Sequence, residues 1–112
     1  VVYKTKHDSE KEHIKKTVQT YFAKQVAVEK VSLFGSFVRN EETAKSDIDL
    51  LIQFVAKKKI SMFDILKMQH ELEELLNRKV DLIEEGQLKP LAALEVVREK
   101  EVVYVKKRQA KG

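Results

Sequence analysis

Residues 33–52 read Leu-Phe-Gly-Ser-Phe-Val-Arg-Asn-Glu-Glu-Thr-Ala-Lys-Ser-Asp-Ile-Asp-Leu-Leu-Ile. One apolar run closes on Gly35-Ser36, and ten residues later Asp47-Ile48-Asp49 opens another. Short apolar runs bounded by turn residues read as strands. Side chains alternate between the faces of a strand, so Asp47 and Asp49 share one face with Ile48 between them. Two carboxylates side by side repel, and a strand that starts with both usually has a cation to put between them. Glycine allows close backbone approach, and serine adds a hydroxyl and an N–H, which suits a phosphate. Together these imply a site for a metal-bound nucleoside triphosphate. Without the Gly-Ser pair, the two aspartates would read as polar residues capping a strand.

The rest of the chain supplies helices and further strands. Residues 9–27 carry Ile14, Val18, Tyr21, Phe22 and Val26 at helical spacing, with Ser9 and Glu12 as a candidate capping box. A strand is expected over 30–35, a short helical turn over 37–40, a polar loop over 41–46 and a second strand over 47–55. Leu50-Leu51-Ile52 is apolar on both faces, which makes that strand central in a sheet. After a turn at 57–59, Ser61 is a candidate N-cap with Asp64 at the third helical position. The helix that follows is expected to run to about Asn77 through Phe63, Ile65, Leu66, Met68, Leu72, Leu75 and Leu76. A third strand spans 79–84, and Gly86 ends it. Pro90, the one proline, opens a short helix over 91–99, and 101–105 form a fourth strand. The order α-β-β-α-β-α-β predicts an α+β (mixed α/β) fold, a small mixed sheet flanked by helices.

Asp81 lies in Val80-Asp81-Leu82-Ile83, where an acid inside an apolar strand is costly unless partnered. If this strand lies beside the Asp47 strand, Asp81 faces the same side and three carboxylates converge near Ser36. If not, Asp81 starts the strand at its solvent edge. Mg²⁺ takes oxygen ligands, commonly one or two carboxylates plus substrate phosphates, and a pair of ions can clamp the attacking and leaving oxygens of an in-line displacement. In such a site Asp47 and Asp49 hold the nucleotide-side metal, and Asp81 completes the second and helps deprotonate the attacking hydroxyl. Gly35 and Ser36 hold the outer phosphates. Arg39 and Lys45 lie between the motif halves, where they neutralise phosphate charge or sit solvated in a loop. Ser36 has no histidine near it in sequence to make it a nucleophile. His7, His13 and His70 lack metal-ligand spacing.

At 112 residues the chain fits one domain with a modest core. There is no cysteine, which excludes disulfide and thiol chemistry and agrees with a cytoplasmic location. No apolar stretch approaches the ~18 residues of a membrane span, and the first eight residues lack the apolar core of a secretory leader. The net charge of +4 is concentrated in Lys57-Lys58-Lys59 and in Lys106-Lys107-Arg108 with Lys111. Such runs are solvated surface or attract a polyanion. No aromatics interleave with them, which disfavours single-stranded nucleic acid.

Gly35-Ser36, the ten-residue spacer, Asp47-Ile48-Asp49 and the later Asp81 resemble the signature of the nucleotidyltransferase superfamily related to DNA polymerase β. Residues 33–40 and 46–52, with Lys79-Val80-Asp81-Leu82 and Leu88-Lys89-Pro90, are most similar to its minimal nucleotidyltransferase branch. The resemblance covers roughly residues 10–105 and implies a single minimal nucleotidyltransferase domain over 1–112, with a basic tail at 106–112. It further implies catalytic and metal-binding roles for Asp47, Asp49 and Asp81, nucleotide binding by Gly35, Ser36 and Arg39, two Mg²⁺ ions, and ATP as substrate. Members of that branch often pair with a HEPN-domain toxin, a small helical RNase, and transfer AMP to one of its tyrosines. One departure is Asn40, where members often carry glycine; asparagine tolerates left-handed backbone better than most residues.

Two function classes follow. One is an Mg²⁺-dependent transferase moving AMP onto a partner hydroxyl, with a nucleic-acid or small-molecule acceptor less favoured because no domain is available to grip a long polymer. The other is a non-catalytic antitoxin that masks a HEPN toxin through helix residues such as Tyr21, Phe22, Phe63 and Met68. The simpler expectation for those four is that they pack the domain's own core.

Overall fold

The computed structural model describes residues 6–35, 47–56, 59–85 and 99–106. In chain order they form α1 (Lys6–Ala23), β1 (Val28–Phe34), β2 (Ile48–Phe54), α2 (Met62–Leu76), β3 (Val80–Glu84) and β4 (Glu101–Val105). The strands make one sheet in the order β3-β2-β1-β4. β1 runs antiparallel to β2 and to β4, whereas β2 and β3 are parallel. A parallel pair cannot be closed by a tight turn, and α2 supplies the crossover. The mixed α+β expectation is borne out, and so is the central place of the Leu50-Leu51-Ile52 strand. The helical turn expected at 37–40, the loop at 41–46, the helix at 91–99 (but for Glu99) and nearly all of the tail lie outside the described residues.

Both helices cover one face of the sheet. Ile14, Val18 and Phe22 on α1 and Ile65, Met68, Leu72 and Leu76 on α2 pack with Val31, Leu33, Ile48, Leu50, Ile52, Val80, Leu82 and Val103. The β2 members are alternate residues, as the two-residue repeat of a strand requires. Each fully buried aliphatic side chain here contributes roughly 1.5–3 kcal/mol. Phe22, with none of its surface exposed, stacks edge-on against Tyr21 at 5.0 Å and tilted against Tyr104 at 6.4 Å. The Tyr21 hydroxyl donates to Glu71 Oε1 at 2.7 Å and ties α1 to α2. Burial pushes that phenol well above its ordinary value, and the Glu71 carboxylate pushes it further.

The helix boundaries differ from expectation for local reasons. α1 starts at Lys6, so Ser9 lies inside the helix and is not its N-cap. Residues 6–12 contain no glycine or proline to break a helix. α1 stops at Ala23, where Lys24 N bonds Tyr21 O and Gln25 N bonds Phe22 O, each three residues back. Val26 is accordingly 71% exposed and belongs to the turn into β1.

At α2 the expected cap is present. Ser61 accepts from Asp64 N at 3.3 Å, and the Asp64 carboxylate accepts from Ser61 N at 3.0 Å, a complete capping box. Asn77 closes the helix in left-handed backbone at φ 51°. Of the apolar residues expected inside, Ile65, Met68, Leu72 and Leu76 are buried, but Phe63 (84% exposed), Leu66 and Leu75 are not. A helix on one face of a sheet buries a stripe only about 100° wide, and these three fall outside it.

Ion pairs tie α1 to the strands it crosses. Lys15 Nζ and Lys11 Nζ lie 3.0 and 3.2 Å from the carboxylate oxygens of Glu101 at the start of β4. Arg78, between α2 and β3, donates from Nε to Glu10 Oε1 at 2.9 Å and from Nη2 to the same oxygen.

Candidate active site

The face of the sheet turned away from the helices carries the polar residues of the motif. β1 leaves the sheet at Phe34-Gly35, and β2 enters beside it. Phe34 is the register partner of Asp49, so β1 delivers Gly35 directly to the Asp49 side chain. Gly35 has φ +80°, a conformation that penalises any residue with a Cβ. A Cβ there would also collide with Asp49 Oδ2 and lie 3.3 Å from Asp49 Cγ. Glycine is therefore required twice at this position, by backbone conformation and by the carboxylate beside it.

Asp49 has Asp81 as its register partner on β3. Directly opposed residues of neighbouring strands project from the same face, with backbones roughly 4.8 Å apart. The parallel β2–β3 pairing thus brings together the two carboxylates that the sequence places 32 residues apart. Asp47 precedes β2 by one residue and is partly buried; Ile48 N, next to it, donates to Lys79 O at 2.9 Å and fixes the entry of β2 against the start of β3. By the two-residue repeat, Asp47 belongs to the same face as Asp49.

Asp49 and Asp81 are adjacent and Gly35 stands against Asp49. Among the described residues no three acidic or histidine side chains close into a metal-binding group; Asp49 and Asp81 are partners across the strands, and Asp47 lies one residue before β2. Ser36 and Arg39 lie outside the described residues, as does Lys45. The donor chemistry suits Mg²⁺, which selects carboxylate oxygens. The absent Cβ of Gly35 is what lets one of those carboxylates, Asp49, lie against the β1 backbone.

Two residues that the sequence does not single out also bear on β3. Glu73 Oε2 accepts from Val80 N at 3.0 Å, and Gln69 Oε1 accepts from Leu82 N at 3.2 Å. Their signal is a four-residue spacing of polar side chains on the crossover helix, hidden within an acidic stretch that otherwise reads as a solvated face.

The chain is similar to known proteins in sequence and in fold. A candidate protein adenylyltransferase of Methanocaldococcus jannaschii is 41% identical over 64 residues, 57% of this chain and 67% of that protein. The protein adenylyltransferase MntA of Thermococcus cleftensis is 38% identical over 78 residues, 70% of this chain and 75% of that protein. Among solved structures, a toxin–antitoxin crystal structure with AMP-PNP contains a chain that matches with a TM-score of 0.71 at 16% identity, covering 83% of this chain and 74% of that one. The complex of tri-AMPylated Shewanella oneidensis HEPN toxin with MNT antitoxin matches with a TM-score of 0.67 at 14% identity, covering 86% and 73%. At those identities the two structures establish the fold. The sequence profile described as polymerase beta, nucleotidyltransferase matches residues 16–109, and the chain belongs to that family.

Proposed function

We propose that the chain is an Mg²⁺-dependent adenylyltransferase that moves AMP from ATP onto a tyrosine hydroxyl of a HEPN-domain toxin, and thereby acts as its antitoxin. The observation that carries this reading is Gly35, held at positive φ against the Asp49 carboxylate with Asp81 as the neighbour of Asp49 in the sheet. The choice of protein acceptor and of AMP is supported by the relative named protein adenylyltransferase MntA, aligned over 75% of its own length. The AMPylated HEPN toxin in a complex of the same fold points to the same partner class.

In the proposed reaction the acceptor oxygen attacks the α-phosphorus of ATP. An oxygen–phosphorus bond forms, the α–β anhydride bond breaks, and pyrophosphate leaves. Asp47 and Asp49 would hold the metal on the nucleotide side, and Asp81 would serve the acceptor side and take the hydroxyl proton. Mg²⁺ held by these carboxylates would supply neutralisation of phosphate charge and alignment of the displacement. Gly35 and Ser36 offer backbone amides to the outer phosphates, and Arg39 offsets their charge. Among the described residues no helix is long and apolar enough to cross a membrane, and an ATP-dependent reaction on an RNase toxin belongs in the cytoplasm.

The test is incubation with Mg²⁺, the partner toxin and each α-phosphate-labelled nucleoside triphosphate in turn. Label on the toxin from ATP alone is expected. Neutralisation of the toxin with no label from any nucleotide would replace transfer with masking.

A further inference from the structure

Among the described residues β3 carries Asp81 at the edge of the sheet and pairs with β2 alone. On its inner side it is held by the pairing that sets Asp81 opposite Asp49. The outward amides of an edge strand are also unpaired by the sheet itself. Here they are not left open. Val80 N donates to Glu73 Oε2 at 3.0 Å and Leu82 N to Gln69 Oε1 at 3.2 Å.

The two acceptors are four residues apart, just over one turn of α2, about 6.0 Å along its axis. The two amides are two residues apart on β3, about 6.6 Å. The helical spacing thus matches one strand repeat, and α2 presents side-chain oxygens where a fifth strand would present carbonyls. Asp81 is the residue between the two clamped amides. A slip of β3 by one residue would turn Asp81 onto the helix-covered face. The clamp opposes that slip from the edge, and the Arg78–Glu10 ion pair holds the turn that leads into β3.

We propose that Glu73 and Gln69 are positioning residues that hold β3 in register beside β2, and so set Asp81 for metal binding. This rests on the assignment of Asp81 as a metal ligand. It predicts that the clamp controls metal affinity through Asp81 and not through stability in general.

The test uses the full-length protein with Mn²⁺ in place of Mg²⁺ and a non-hydrolysable ATP analogue. Free Mn²⁺ is followed by electron paramagnetic resonance, and exchange of the Val80 and Leu82 amides by NMR. In Gln69→Leu/Glu73→Leu both amides lose protection and Mn²⁺ affinity falls about tenfold, the scale of an outer-shell loss. Glu73→Gln, which keeps an acceptor oxygen, stays close to wild type. Adding the leucine pair to Asp81→Asn weakens Mn²⁺ no further. Val103→Ala, a core loss on the opposite edge strand, lowers the melting temperature without changing Mn²⁺ affinity. If the double variant does not fold, Gln69→Leu alone gives the smaller shift in the same direction. Unchanged Mn²⁺ affinity in the leucine variants, with Asp81→Asn weakened, overturns the positioning role alone. Unchanged affinity in Asp81→Asn overturns the ligand assignment beneath it, and the positioning role with it.

Discussion

At the scale of single residues, Gly35 is where fold and chemistry meet most tightly. Its φ of +80° costs a substituted L-residue roughly 1–2 kcal/mol, before any collision. The missing Cβ is the space taken by the Asp49 carboxylate. Gly35→Ala is therefore expected to lower the melting temperature and to displace Asp49, with loss of the thermal shift produced by Mg²⁺-ATP. A variant that melts lower but keeps the full ATP-induced shift would separate the glycine from the site. The use of a glycine for close backbone approach at this turn is legible in the sequence. Its contact with Asp49 is not, because that depends on Phe34 and Asp49 being partners across two strands.

At the scale of elements, α2 does the most work. It is the crossover that makes β2 and β3 parallel, it buries four residues on the sheet, and it clamps the outer edge of β3. Its start is written locally: Ser61 and Asp64 satisfy each other's backbone donors, and burial is not needed to form that box. Ser61→Ala should cost about 1 kcal/mol, read as a lower urea midpoint with an unchanged slope. No change in midpoint would mean that the α2 terminus is held by packing alone. The Ser61 cap could be read from sequence because it is local. The exposure of Phe63, Leu66 and Leu75 could not, because which stripe of an apolar-rich helix faces inward is decided by the sheet it lands on. The same holds for α1, whose end at Ala23 reflects the demand of β1 for Val28.

At the scale of the whole molecule, the sheet divides labour between its faces. One face, with both helices on it, holds the hydrophobic cluster; the other presents Asp49 and Asp81. Glu101 links the helical layer to the edge strand β4 through Lys15 and Lys11. Burial pushes its carboxyl upward, but the hydrogen bonds and charges of the two ammonium groups prevail and hold it below the ordinary glutamate value of 4.5. A carboxyl depressed in the folded state adds stability above its unfolded value, and that stability is lost as pH falls through the folded value. The stability gap between wild type and Glu101→Gln should thus be full above about pH 4.5 and close below it. A gap independent of pH would assign Glu101 a packing role only. The alternation of helices and strands, the central β2 and the kinship of Asp47, Asp49 and Asp81 can all be read from apolar spacing and motif. Strand order cannot be read from spacing, because it is fixed by long-range pairing; the adjacency of Asp49 and Asp81 becomes visible only once β3 is seen to dock beside β2.

The central claim is that this carboxylate face transfers AMP to a partner toxin, and the most direct measurement is the intact mass of that toxin after co-expression. With the wild-type chain the toxin should gain the mass of one or more AMP groups. With Asp47→Ala/Asp49→Ala it should remain unmodified while still co-purifying, since loss of the two proposed metal ligands removes several kcal/mol of charge stabilisation from the proposed reaction. An unmodified toxin that is fully neutralised by both proteins would contradict the account.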